Sequence, residues 1–75
     1  MPEVIDEQVS VNFMNAPTSL YWRGRRYTIT KVGLHHTTRE GRTLLHIFSV
    51  TDGTTGFKLE LNSELLSWKL LEVES

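Results

Sequence analysis

The sequence predicts an all-β fold, a small antiparallel barrel or strongly bent meander of five to six strands, SH3-like in outline. Three observations lead there. Valine, isoleucine and threonine supply 18 of the 75 residues, whereas alanine, the strongest helix former, occurs once, at Ala16. Apolar residues alternate with polar ones, as in Val9, Val11, Phe13 and again in Phe57, Leu59, Leu61, which is the pattern of half-buried strands. Turn-forming residues recur at short intervals between those runs. A flat sheet this small would leave its edges exposed, and curling is the economical remedy.

The elements follow in order. The first strand carries Val9, Val11 and Phe13, and Asn15-Ala16-Pro17-Thr18 turns it into Leu20-Tyr21-Trp22. Gly24 breaks the next run, and a Gly-X pair between two β-rich arms suits a tight type II′ hairpin. One long arm, 27–38, then faces another, 43–51, across Arg39-Glu40-Gly41-Arg42. Asp52-Gly53-Thr54 turns into a strand over 55–61. Asn62 and Ser63 before Glu64 have the chemistry of a helix cap. Leu65, Leu66, Trp68, Leu70 and Leu71 would nevertheless surround such a helix with apolar surface, whereas Leu66, Trp68 and Leu70 share one strand face. The expectation is a turn or single helical turn near 62–67, then a sixth strand over 67–73 pairing with 55–61.

Residues 1–75 read as one domain, with no internal repeat or linker. The absence of cysteine excludes disulfides, zinc ribbons and thiol nucleophiles. The opening Met1-Pro2-Glu3-Val4-Ile5-Asp6-Glu7 is acidic and polar where a secretory signal would be basic and apolar, so a cytoplasmic location is expected. No stretch approaches the ~20 apolar residues of a membrane span.

Charge is unevenly spread behind a net value of −1. Between Arg23 and Arg42 stand six basic residues and one acid, a balance of +5, while the rest of the chain carries two basic residues against eight acids. The candidate partner-binding residues are therefore Trp22, Arg23, Arg25, Arg26, Tyr27, Lys31, Arg39 and Arg42: cations for phosphates or carboxylates, aromatic faces for stacking. Structure alone offers a competing account. Arginines near tight turns protect edges, Trp22 and Tyr27 can stack across the hairpin, and dedicated nucleic-acid domains are usually basic overall, unlike this chain with its pI of 6.3.

His35, His36 and His46 are the candidates for metal or proton chemistry. If the 39–42 turn closes symmetrically, paired positions sum to 81 and His35 faces His46; with a bulge at Gly41 the sum is 80 and His46 faces Leu34. Two imidazoles fall short of the three or four ligands of a zinc site, so neither a metal nor any other cofactor is expected. Gly53-Thr54-Thr55-Gly56 lacks the spacing of a phosphate loop, and no nucleophile elbow or His-Glu-x-x-His is present, so an enzyme is not expected.

Ile5-Asp6-Glu7, Pro17, Tyr21-Trp22-Arg23-Gly24-Arg25-Arg26-Tyr27-Thr28-Ile29, Gly56-Phe57-Lys58-Leu59-Glu60-Leu61 and Trp68-Lys69-Leu70-Leu71-Glu72-Val73 together resemble a family of small bacterial domains of unknown function. The sharpest part is Trp22-Arg23-Gly24-Arg25-Arg26-Tyr27. Members are often encoded near translesion DNA polymerase and repair genes, so the resemblance implies an accessory role in DNA maintenance. This chain departs from the family in carrying His35-His36 where a tryptophan follows the second long strand. The functional expectation is a non-catalytic β module that contacts a protein or nucleic acid through a basic hairpin surface. The alternative is a structural homodimer formed by edge-strand pairing.

Overall fold

A computed structural model describes residues 2–75, and every regular element in it is a strand. The strands are β1 (Glu3–Phe13), β2 (Pro17–Trp22), β3 (Arg25–Thr28), β4 (Lys31–Glu40), β5 (Thr43–Thr51), β6 (Gly56–Asn62) and β7 (Ser67–Glu74). They form one antiparallel sheet in the order β3-β2-β1-β7-β6-β5-β4. The all-β expectation holds, with two corrections: there are seven strands rather than five or six, and the sheet stays open rather than closing into an SH3-like barrel.

The extra strand comes from breaking the expected 27–38 arm at Ile29-Thr30. The Ile29 amide donates to the Thr18 carbonyl and the Thr30 amide to the Thr51 carbonyl, both at 2.9 Å, so the chain leaves β2 and takes up β5. β3 and β4 lie at opposite ends of the strand order, yet only residues 29 and 30 join them. Extended chain spans at most about 3.6 Å per residue. The sheet must therefore roll until its two edges approach each other at this corner.

β1 provides the bend. Its first half pairs with β7 and its last four residues with β2, and between Val4 and Glu7 the register shifts where Asp6 takes a positive φ of 54°. Such a bulge increases local twist. Rolling brings Leu20 of β2 into one cluster with Phe48, Val50, Phe57, Leu59, Trp68 and Leu70, and these seven residues form the buried core of the concave face. Ile5, Val9, Val11, Trp22, Tyr27, Ile29, Val32, Leu61 and Val73 pack around them.

The turns differ from expectation in informative ways. Trp22 pairs with Arg25, leaving Arg23 and Gly24 as a two-residue loop in which both residues have positive φ, 52° and 75°. This is the type I′ pattern rather than the II′ read from Gly24. The loop between β4 and β5 is Gly41-Arg42, with positive φ at Gly41 alone (63°), the II′ pattern. Residues 63–66 form a turn and not a helix. The Asn62 side chain accepts from the Glu64 and Leu65 amides, the Leu66 amide returns to the Asn62 carbonyl at 2.7 Å, and Leu66 stops the coil with a φ of 55°. No helix among the described residues is long and apolar enough to cross a membrane.

Candidate functional site

The residues singled out from sequence divide into three groups. Trp22 and Arg23 are engaged by Glu7. The Trp22 Nε1 donates to one Glu7 carboxylate oxygen at 2.8 Å, and Arg23 donates through Nη2 at 2.7 Å and Nε at 3.3 Å. Hydrogen bonds from Arg23, then from Trp22, hold the Glu7 carboxyl below its ordinary range, and the same bond to Glu7 holds the Arg23 guanidinium above its own. The Arg23 guanidinium also lies over the Trp22 ring, 4.7 Å from its centre. This cluster ties the β2–β3 hairpin to β1.

Tyr27 is drawn into the concave face, its ring centre 5.1 Å from that of Phe57 and 6.2 Å from that of Trp22. Arg25 lies over the Tyr27 ring at 5.3 Å. Arg26 occupies the other face of β3, directly opposite Tyr21, which remains 44% exposed. Tyr21 is not among the candidates the sequence singles out, because the three-residue apolar run Leu20-Tyr21-Trp22 has no internal parity signal.

Lys31, Arg39 and Arg42 form the third group, and β4 separates them. Lys31 pairs with Thr51 and Arg39 with Leu44, eight positions apart along an extended strand, about 26 Å at 3.3 Å per residue. They also occupy opposite faces. Gly33 is an extra residue between Val32, opposite Val50, and Leu34, opposite Ser49, so the side-chain alternation inverts there. The eight residues therefore make no single patch.

What they share is position relative to the sheet. Among the described residues, Arg23, Lys58 and Lys69 each have a carboxylate within ion-pair distance, namely Glu7 at 2.7 Å, Glu72 at 3.6 Å and Asp6 at 3.3 Å. Arg25, Arg26, Lys31, Arg39 and Arg42 have none among those residues. Four of these five lie on β3 and β4, the two edge strands, and Arg42 lies in the turn that ends β4. The uncompensated positive charge thus borders the open sides of the sheet, while the acids of β1 and β7 neutralise the cations of its middle.

The histidines do meet, in a register other than either one expected. With Gly41-Arg42 as the loop, paired positions sum to 83, so His46 faces Thr37 and His35 faces Phe48. His35 and His46 are diagonal neighbours, with His35 Nε2 and His46 Nδ1 3.0 Å apart. The His35 ring stacks on Phe48 at 4.2 Å and 4°. Phe13, half exposed, borders this group with its ring centre 6.2 Å from Phe48 and 6.0 Å from Trp68. His36 is on the opposite face, across from Ile47.

Compared with protein-family models, with curated proteins and with solved structures, the chain gives no match.

Proposed function

We propose that the chain is a non-catalytic β module that docks an anionic partner, a nucleic acid or an acidic protein surface, along the open sides of its sheet. The observation that carries this reading is the placement of the five uncompensated cations on β3, β4 and the turn between β4 and β5. Charges on edge strands also deter edge-to-edge pairing. The exposed Tyr21 beside Arg26 adds a stacking face next to a cation. The resemblance centred on Trp22–Tyr27 supports a setting in bacterial DNA maintenance.

The test is fluorescence anisotropy of labelled single- and double-stranded DNA at two salt concentrations. Affinity should fall with salt by a slope corresponding to about three to five phosphates, and Arg25→Glu should weaken binding while leaving the far-ultraviolet spectrum unchanged. Absence of binding at low salt would remove nucleic acid as the partner. An undiminished complex with Arg25→Glu would remove the site.

A second reading is a homodimer through the free edge of β4, whose ten residues are exposed except at Val32. Gly33 interrupts its alternation, and Lys31 and Arg39 place like charges on it. Both features disfavour pairing between two copies. Sedimentation showing a monomer at high micromolar concentration would eliminate it.

A further inference from the structure

We propose that His35 and His46 together form a solvent-facing binding site for a divalent transition-metal ion, Cu(II) foremost. Two nitrogens each about 2.05 Å from a metal and about 95° apart at it stand about 3.0 Å from each other, whereas a tetrahedral angle sets them about 3.3 Å apart. The observed His35 Nε2 to His46 Nδ1 separation is 3.0 Å, a hydrogen-bond distance in the metal-free pair that also equals the spacing of adjacent ligands in a tetragonal complex. Imidazole nitrogens in tetragonal geometry suit Cu(II) and Ni(II), and Cu(II) binds tightest in the first-row series.

The surroundings fit such a site. Phe48 lies flat against the His35 ring and limits its rotation, reducing the ordering that binding requires. His35 is exposed and His46 half-buried, so water can supply the remaining ligands. In the neutral pair one ring donates its N–H to the other. For both nitrogens to ligate, that proton moves through solvent to the donor ring's other nitrogen, leaving two lone pairs free for the metal with no net change in protonation. A group of three or more metal-ligating side chains does not occur among the described residues. The site is therefore open and exchangeable, unlike a closed structural zinc centre.

The experiment is titration of the full chain with Cu(II) alone, in a non-chelating buffer about one unit above the usual imidazole pKa of about 6.5. Quenching of tryptophan fluorescence provides the readout, since Trp68 lies 5.6 Å from Phe48 beneath the pair. Stoichiometric binding is expected. His35→Ala and His46→Ala should each weaken it by more than the roughly 10–100-fold that follows loss of an outer-shell partner. His36→Ala, on the opposite face, should leave it unchanged. Because His46→Ala sits beside the core, pulsed electron paramagnetic resonance on the unaltered protein provides an independent count of coordinated imidazoles. Two imidazoles support the site. Absence of stoichiometric binding, one imidazole or none, or unchanged affinity in both alanine variants would overturn it.

Discussion

Leu20→Ala tests whether the sheet is rolled. Leu20 is fully buried, and its neighbours in the core come from β5, β6 and β7, strands that β2 could not reach across a flat sheet. Truncation to alanine removes three carbon centres, about 2.4 kcal/mol at ~0.8 kcal/mol for each buried methylene. The cavity adds to this and brings the loss to about 2.7–5 kcal/mol. A domain of this length has about 4–11 kcal/mol of stability in total, so the variant should be marginal. The assay is urea denaturation followed by tryptophan fluorescence; with a slope of about 1 kcal/mol/M, the midpoint should fall by about 3–5 M or the chain should be unfolded without denaturant. Leu34→Ala provides the control. Leu34 is 59% exposed on the other face of β4, and its loss should stay within about 0.5 kcal/mol. A loss at Leu20 below about 1 kcal/mol, that of a half-exposed leucine on an open flat sheet, would refute the roll.

Three further outcomes follow. Glu7 has a folded-state pKa below its ordinary 4.5, so its contribution is complete above the unfolded value and is lost as pH falls through the folded one. Below about pH 4.5 the stability of the unaltered protein should drop more steeply than that of Glu7→Gln, and parallel pH profiles in urea melts would contradict the Glu7–Trp22–Arg23 cluster. Gly53→Ala should cost about 1–2 kcal/mol although a Cβ there would meet nothing within 4 Å, because its φ of 107° disfavours any L side chain. Gly33→Ala should stay within about 0.5 kcal/mol, since its Cβ would meet only the Ser49 carbonyl at 3.6 Å; a larger loss in thermal melts would mean that the bulge itself requires glycine.

The strand class was legible because alternation of apolar residues reports which face is buried, and Phe57-Lys58-Leu59-Glu60-Leu61 lies as that pattern requires. The break at Ile29-Thr30 was not legible. Both residues favour strands, and what ends β3 is the change of partner from Thr18 to Thr51, a long-range event with no local signature. Register across β4 and β5 depends on which residues form the loop, and Glu40-Gly41 and Gly41-Arg42 are both acceptable to the backbone. Gly33, inside an otherwise β-rich run, was the one available sign of a bulge. The basic segment was visible as composition, but its division was not: Glu7, fifteen or more residues away, accepts from Trp22 and compensates the charge of Arg23, and the antiparallel pairing of β1 with β2 brings it there.

The most direct test of edge docking compares two double variants that remove the same charge from different places. Arg25→Gln/Arg39→Gln removes two cations from the edge strands, and Lys58→Gln/Lys69→Gln removes two from the middle of the sheet, where both are paired with acids. Titrated against the same DNA at two salt concentrations, the edge variant should lose about 1.4–1.8 from the salt slope, the share of two phosphate contacts. The middle variant should retain the slope of the unaltered protein. Equal losses in the two variants would show that net charge alone governs binding and would contradict docking at the edges.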